Sequence, residues 1–155
     1  MTSGARLAAA AMAVAVLAGC TDAPDSARSD DPADYAHELF VGTNAARTEA
    51  GLDPLVWDEC VAAAALARAQ VVADTDTLEH QPLQAPCADN AAAGENLSYS
   101  EEDAATIVDR WMASPGHEAN VVSTEFVDAG VGCVVDGALM ACSWVAQGEA
   151  VSLEP

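Results

Sequence analysis

Lysine is absent from this chain of 155 residues, and its five basic residues are all arginines. Against them stand 25 aspartates and glutamates, which gives a formal net charge of −20 at neutral pH. A chain this acidic is repelled by phosphate backbones, so the charge excludes nucleic acid as a partner. Aromatic residues make up only 5% of the chain, although 52% of it is hydrophobic. This composition excludes a wholly disordered protein and predicts helices that pack through small side chains.

Several common functional signatures are also missing. The chain has no Walker loop, no G-x-G-x-x-G and no G-x-S-x-G, which argues against nucleotide binding and against a serine hydrolase of the nucleophile-elbow type. Asp74-Thr-Asp76 begins like a calcium loop, but the acidic residue and glycine that should follow are absent. No C-x-x-C pair occurs, which argues against a structural zinc site.

The N-terminus resembles a bacterial export signal that ends in a lipidation site. Arg6 precedes an apolar run from Leu7 to Ala18, which is too short for a stable membrane span. The run ends in Leu-Ala-Gly-Cys20, which resembles the lipobox of bacterial lipoproteins. We therefore expect residues 1–19 to be a signal peptide and Cys20 to be acylated, so that it anchors the protein to the cell membrane. Ordinary cleavage with an unmodified Cys20 is the alternative.

The remaining chain divides into a tether, one domain and a tail. Residues 20–32 are rich in Asp, Ser and Pro, which predicts a disordered acidic tether behind the lipidated cysteine. A single domain is expected over 33–148, followed by a C-terminal tail over 149–155. We expect a monomer at the cell envelope, either lipid-anchored on the outer face of the membrane or secreted.

Periodicity and capping residues predict mostly helices in the first part of the domain. These elements are a helix from Ala33 to Gly51, a helix from Asp58 to about Ala73, a loop over 74–90, a helix from the capping-box pattern at 100–103 to Met112, and a short helix after Pro115-Gly116. The second helix is apolar nearly all round, so we expect it to be covered on more than one side.

The last part of the domain alternates like two antiparallel strands. The first strand is predicted to place Val131, Cys133 and Val135 on one face, and the second strand Met140, Cys142, Trp144 and Ala146. Helices followed by an antiparallel pair indicate an α+β fold with helices on the faces of a sheet.

Four cysteines remain once Cys20 is assigned to lipid, and an even number in an exported chain predicts two disulfides. Three pairings are possible. Cys133 and Cys142 lie on neighbouring strands, so we pair them and assign the second bond to Cys60 and Cys87. Cys133 lies directly opposite Cys142 only if a four-residue loop over 136–139 joins the strands. A two-residue turn at Asp136-Gly137 would place Cys133 opposite Met140 instead.

Three residues have the right chemistry for a site. His80 and His117 lie in a loop and at a helix start, and Glu95 stands between them in Gly94-Glu-Asn-Leu97. Two imidazoles and a carboxylate are the minimum set for a metal site or an acid–base pair. The third histidine, His37, lies among polar residues of the first helix and is expected to be exposed.

Six motifs in a fixed order resemble the CAP superfamily, whose SCP domain is shared by cysteine-rich secretory proteins, antigen 5 and plant pathogenesis-related proteins. They are Asn44-Ala-Ala-Arg47, Gly51-Leu-x-x-Leu-x-Trp-Asp58, Leu78-x-His80, Gly94-Glu-Asn-Leu97, Trp111-x-x-Ser-Pro-Gly-His-x-x-Asn120, and Val127-x-x-Gly-Val-Gly132. The resemblance covers roughly residues 37–147 and is closest to the bacterial branch. It implies a three-layer α-β-α sandwich with a small antiparallel sheet.

The resemblance also implies a cleft lined by His80, Glu95 and His117. Animal and plant members carry a further glutamate three residues after the tryptophan that matches Trp111, and here that position holds Ser114. The other residues that match the family motifs and are expected to be structural are Asn44, Arg47, Asn96 and Trp111.

These observations predict a non-enzymatic binding module. Its cleft would bind Zn²⁺ or another divalent cation weakly through His80 and His117, or else a small molecule, a lipid or an envelope component. The alternative is a metal-assisted peptidase or esterase in which Glu95 and His117 are the candidate catalytic residues. A third possibility is that His80, Glu95 and His117 only hold the loops together by hydrogen bonds.

Overall fold

The computed structural model describes Met1 and residues 28–152, so the predicted signal peptide beyond Met1, Cys20 and most of the tether lie outside the described residues. Helices and strands are mixed along the chain. Their bounds are α1 Pro32–Glu49, β1 Val56–Trp57, α2 Glu59–Thr75, β2 Ala93–Ser100, α3 Ala104–Met112, α4 Pro115–Val121, β3 Asp128–Asp136 and β4 Leu139–Gln147. No helix of the described part is long and apolar enough to cross a membrane.

The strands form one sheet with the order β1-β3-β4-β2. β1 pairs with β3 in parallel, while β3 with β4 and β4 with β2 are antiparallel. α2 packs on one face of the sheet, and α1, α3 and α4 form the layer on the other face. The three-layer α-β-α prediction is therefore confirmed, and β2 lies at an edge of the sheet.

Aspartate N-caps set the starts of the three longer helices. The side chains of Asp31 and Asp58 accept hydrogen bonds from backbone N–H groups of the first turn, as the predicted helix starts require. The third helix begins later than predicted, because Asp103 is its N-cap and accepts the N–H of Thr106 at 2.7 Å. Ser100, the start of the predicted capping box, is instead the last residue of β2.

The prediction that α2 is covered on more than one side was wrong. Its buried residues, Val61, Ala62, Ala65, Ala69 and Val72, recur at helical spacing and face the sheet. The opposite side is exposed to solvent. Alanines line both sides of this helix, and their small side chains hide the difference between its two faces from a reading of hydrophobicity alone.

Glycines in β3 allow α2 to lie very close to the sheet. A Cβ atom at Gly130 would stand 2.2 Å from the backbone nitrogen of Ala62, and one at Gly132 would stand 2.2 Å from the Cα of Leu66. Side chains at either position would therefore push the helix away. This close packing brings the next turn of α2, with Arg68, over β2.

β2 was not predicted as a strand, and β1 was also missed. Five consecutive residues of β2, from Gly94 to Ser98, are buried, so its polar residues do not alternate with apolar ones as in a half-exposed strand. β1 has only two residues. Such segments give no periodic signal.

Both predicted disulfides are present. Cys60 bonds to Cys87, and Cys133 bonds to Cys142, its direct partner across the β3–β4 ladder. The ladder has the predicted register but extends to Asp136 and Leu139, which leaves a loop of two residues rather than four. Gly137 takes a positive φ of 60° as the first residue of that loop, which a hairpin turn of this length needs.

Candidate functional site

Glu95 is the centre of the polar site. It lies on β2 and is 5% exposed. Its Oε2 atom is 2.8 Å from both the Nη2 atom of Arg68 and the Nδ1 atom of His80. Its Oε1 atom accepts hydrogen bonds from the Nε–H of Arg68 and, at 3.1 Å, from the hydroxyl of Ser143. Donors from a helix, a loop and β4 therefore meet at one buried carboxylate.

These donors decide the charge of Glu95. Burial by itself raises the pKa of this carboxyl, but the hydrogen bonds from Arg68, His80 and Ser143, with the positive charge of Arg68, together outweigh burial and lower the pKa below its usual value. The hydrogen bond to Glu95 is also the main cause that raises the pKa of Arg68. Glu95 and Arg68 are therefore an ionised pair at neutral pH.

Arg68 is the site residue that the sequence analysis did not identify. It stands near the middle of α2 among alanines and valines, and it also donates to the carbonyl of Gln81 in the loop that carries His80. A single cation within such an apolar helix was the available signal. Its buried partner could not be chosen from the 25 acidic residues without knowing the distance between α2 and the sheet.

His80 lies in the loop between α2 and β2, and its side chain is about half exposed, at 53%. Because an ionised carboxylate only accepts hydrogen bonds, the Nδ1 atom of His80 must carry the proton that is shared with Glu95. In the neutral imidazole the Nε2 atom then keeps its lone pair. Metal-binding histidines are commonly held in the same tautomer, because they donate the N–H of their other ring nitrogen to a carboxylate.

His117 lies on α4, across the cleft from His80. The two ring centroids are 6.5 Å apart, and their planes are inclined by 48°. Burial, followed by the nearby His80, lowers the pKa of His117, so its imidazole is neutral at pH 7. The carbonyl of His117 accepts a hydrogen bond from the side-chain nitrogen of Asn96 at 3.1 Å, which fixes α4 against β2.

The three predicted site residues are brought to one place, but they do not form a closed metal site. Within the described residues, the ligand atoms of His80, Glu95 and His117 do not all lie within 4.8 Å of one another. In the described part of the chain only Asp58, Cys60 and Cys87 meet that criterion, and the sulfurs of those two cysteines are bonded to each other. The site could therefore hold a metal through the two imidazoles, with Glu95 hydrogen-bonded to His80 rather than bound to the metal.

A cleft of about 250 Å³ lies between His117 and β2, and of the three residues predicted to line it only His117 does, since Glu95 points to the other face of β2 toward Arg68 and His80. Ser114, which replaces the family glutamate, also lines the cleft. It is the N-cap of α4 but makes no side-chain capping hydrogen bond. The Ser98 hydroxyl lines the same cleft and is the one buried side-chain polar atom among the described residues without a hydrogen-bond partner.

The other motif residues hold the framework of the site. The Asn44 side chain forms two hydrogen bonds with the backbone of Leu55, at 2.8 and 3.0 Å, which hold the α1–β1 connection. The guanidinium of Arg47 donates to three backbone carbonyls and is 3% exposed, and burial lowers its pKa. The indole nitrogen of Trp111 donates to the carbonyl of Leu97 at 3.1 Å, which ties α3 to β2.

Two curated bacterial proteins are similar to this chain. The chain is 30% identical over 128 residues to the uncharacterized protein YkwD of Bacillus subtilis, and this match covers 77% of the chain and 48% of that protein. The uncharacterized membrane protein YlbC of the same organism is 27% identical over 99 residues, which cover 58% of the chain and 29% of that protein. The chain thus spans less than half the length of these curated relatives.

Solved structures share the fold. An extracellular protein containing an SCP domain from Bacillus anthracis matches with a TM-score of 0.65 and 22% identity, over 76% of this chain and 41% of that one. An outer surface protein of Borrelia burgdorferi matches with a TM-score of 0.66 and 15% identity, over 75% of this chain and 93% of that one.

The family profile for CAP, described as the cysteine-rich secretory protein family, matches residues 42–147. This range includes every element from the middle of α1 to the end of β4, and with them Arg68, His80, Glu95 and His117. The sandwich, the order of the motifs and the profile agree, and the chain therefore belongs to the CAP family.

Proposed function

We propose that this chain is an exported lipoprotein whose CAP domain is a binding module at the cell envelope. Its cleft takes a divalent cation such as Zn²⁺, or a small ligand, beside His80 and His117. The observation that carries the proposal is the hydrogen bond from the Nδ1 atom of His80 to the buried Glu95, at 2.8 Å. This bond leaves the Nε2 atom of His80 available as a ligand next to the neutral imidazole of His117.

The donor set also predicts the strength of binding. Two histidines would bind the cation directly, while Glu95 orients His80 from behind and stays paired with Arg68. A bound cation would supply a positive charge and open coordination positions for an anionic or neutral oxygen ligand. With only two protein ligands, we expect the affinity to be well below that of a four-ligand structural zinc site.

Replacement of either cleft histidine should remove metal binding. We expect wild-type protein to release or absorb measurable heat on titration with sub-millimolar Zn²⁺, and His80→Ala and His117→Ala each to weaken binding by at least about tenfold. His37→Ala is the matched control, because His37 is exposed on α1 away from these partners. An absence of heat from the wild type, or equal loss in His37→Ala, would exclude the proposed metal site.

The hydrolase alternative has less support. Both oxygens of Glu95 accept hydrogen bonds, and its lowered pKa makes this carboxylate a poor general base at neutral pH. Within the described part of the chain, no hydrogen bond joins the hydroxyl of Ser114 to an imidazole, as an activated nucleophile requires. These observations favour binding over catalysis.

The lipid anchor is the second part of the proposal. It rests on the lipobox-like Leu-Ala-Gly-Cys20 and on the acidic, proline-containing segment between Cys20 and the N-cap of α1 at Asp31. The names of the structural neighbours, an extracellular and an outer surface protein, agree with an exported location. A tether of this length would let the domain move freely above a membrane surface.

Loss of Cys20 should release the protein from the membrane. Expressed in a bacterial host, the wild type is expected in the detergent phase of a Triton X-114 separation, and Cys20→Ser in the aqueous phase, because the acyl chains supply the membrane affinity. The signal for export is the same in both. A free Cys20 thiol by mass spectrometry of the wild type, or identical partition of the two proteins, would contradict the anchor.

A further inference from the structure

One side of α3 forms a wall of the cleft beside His117. Ile107, Arg110 and Trp111 all line the cleft, and their spacing of three and four residues places them on one side of the helix. Ile107 and Trp111 are buried, whereas the Arg110 side chain is 63% exposed. This wall is therefore apolar inside the cleft and positively charged at its mouth.

β2 supplies the opposite wall and an unused hydrogen-bond donor. Ser98 stands two residues after Asn96, whose side chain forms hydrogen bonds with the His117 carbonyl and the Asn120 side chain of α4. Because alternate side chains of a strand share a face, Ser98 also points to the cleft side of β2. It is 6% exposed, and its hydroxyl has no hydrogen-bond partner among the described residues. Such a group is unfavourable unless an oxygen of a ligand accepts its hydrogen bond.

The cleft also lacks acidic side chains. Although the chain has 25 aspartates and glutamates, none among the described residues lines this cleft, whereas Arg110 and the neutral imidazole of His117 do. Four other clefts of the described part each have at least one acidic lining residue, such as Asp31 and Glu59 in a cleft between α1 and α2. An anionic group therefore meets the least direct repulsion in the cleft beside His117.

Arg110 keeps most of its donors free for a ligand. It donates to Glu102 through Nη2, and in the described part of the chain its Nε and Nη1 atoms make no hydrogen bond. The pair with Glu102 is exposed, so it contributes little to stability and competes only weakly with another anion. A guanidinium fork matches the two oxygens of a carboxylate. The net charge of −20 acts over longer distances and is screened within about 8 Å at physiological salt.

We propose that the cleft binds a small organic anion with a carboxylate at one end, an apolar body and a second oxygen at the other end. The carboxylate bonds to Arg110 at the mouth, the body lies against Ile107 and Trp111, and the Ser98 hydroxyl donates to the second oxygen. At about 250 Å³ the cleft is smaller than the pockets of drug-sized ligands, which limits the ligand to a short-chain hydroxy or oxo acid. This inference rests on the proposed binding function and names a ligand class for the same cleft.

Binding can be tested with 6-hydroxyhexanoate on metal-free, ¹⁵N-labelled full-length protein. Titration followed by NMR should give saturable shifts of the amides of residues 97–100 and 107–111, with a Kd of about 1 mM for a ligand of this size. 6-Hydroxyhexanamide has the same shape without the charge, and we expect it to bind about fivefold more weakly. Arg110→Gln should abolish this difference, while Arg28→Gln, which alters another arginine paired with an acid, should preserve it. An absence of saturable shifts, or equal binding of acid and amide by the wild type, would overturn the proposal.

A second comparison tests the inner end of the cleft. Hexanoate lacks the hydroxyl of the probe, so the wild type should bind hexanoate about threefold more weakly than 6-hydroxyhexanoate. In Ser98→Ala the two acids should bind equally, while Ser29→Ala, which alters a serine that does not line the cleft, should keep the difference. A difference that persists in Ser98→Ala, or none in the wild type, would overturn this orientation of the ligand.

The zinc titration separates this inference from the metal site in the proposed function. Zn²⁺ binding that depends on His80, combined with no binding of 6-hydroxyhexanoate, would overturn this inference and leave the metal site standing. Binding of the acid through Arg110 without any heat from Zn²⁺ would support this inference and exclude the metal site.

Discussion

Replacing Arg68 by methionine is expected to lower the free energy of unfolding by about 3–5 kcal/mol, the largest effect of any single substitution in the site. The reason is the state of its partner. Glu95 is buried and ionised, and its side chain is 3% exposed against 18% for Arg68. Methionine keeps the packing of the arginine stem but leaves the carboxylate with no full positive charge beside it. Urea denaturation followed by circular dichroism measures the change.

Two variants make this expectation specific. Arg110→Met removes the ion pair between Arg110 and Glu102. Because the Arg110 side chain is 63% exposed, this change should lower the free energy of unfolding by less than about 1 kcal/mol. The double variant Arg68→Met/Glu95→Leu removes both charges and should recover most of the lost stability, because two apolar side chains leave no unpaired charge buried. A single variant as stable as Arg110→Met would show that the Arg68–Glu95 pair does not hold α2 on β2.

The stability contributed by the Arg68–Glu95 pair should depend on pH. The pKa of Glu95 is lower in the folded protein than the value of about 4.3 expected in the unfolded chain. The pair therefore stabilises the fold fully above about pH 5, and this contribution is lost as the pH falls through the folded pKa. Glu95→Gln should consequently lose less stability than the wild type between pH 7 and pH 3. Parallel pH profiles for the two proteins would contradict this assignment.

Removing the Cys60–Cys87 disulfide is expected to cost about 3.5 kcal/mol, because the bond spans 27 residues and restricts the unfolded chain. The effect also reaches the site. Residues 77–92 contain neither helix nor strand, and they carry His80. Cys87 holds this segment to the rest of the fold through its sulfur and through its N–H, which donates to the Gln147 side chain at 3.0 Å. Guanidinium denaturation of Cys60→Ala/Cys87→Ala measures the global loss.

The second disulfide provides the control. Cys133→Ala/Cys142→Ala opens a loop of only nine residues and should cost about 2.5 kcal/mol. Hydrogen exchange should rise across residues 77–92 in the first double variant and stay unchanged there in the second. Equal exchange of this loop in both variants would mean that Cys87 does not restrain His80.

The sequence was informative wherever a residue type has one dominant structural use. Asp58 was placed as an N-cap because its short carboxylate suits the free N–H groups of a helix start. The cysteine pairing followed from the alternation of the last two strands, and it fixed the register of Cys133 opposite Cys142 before their loop was known. The family resemblance supplied the cleft and its two histidines.

β2 was not predicted because its buried residues do not alternate with exposed ones. β2 carries Glu95 and Asn96 among its buried residues, so its sequence is polar where a buried strand is normally apolar. The side chains of these two residues have partners far along the chain, Arg68 for Glu95 and Asn120 for Asn96. Partners of this kind cannot be chosen from a sequence with many equivalent acids and amides.

The sequence alone determined the α+β class, the disulfide pairing and the excess of acid, and the family resemblance named His80, Glu95 and His117. Only the tertiary structure decided that Arg68 neutralises Glu95, that His80 holds its proton on Nδ1, and that the rings of His80 and His117 lie 6.5 Å apart. The physical reason is that charge state and hydrogen bonding depend on distances of a few ångströms between segments. Those distances exist only after α2 has packed against Gly130 and Gly132 and α4 has been fixed by Asn96.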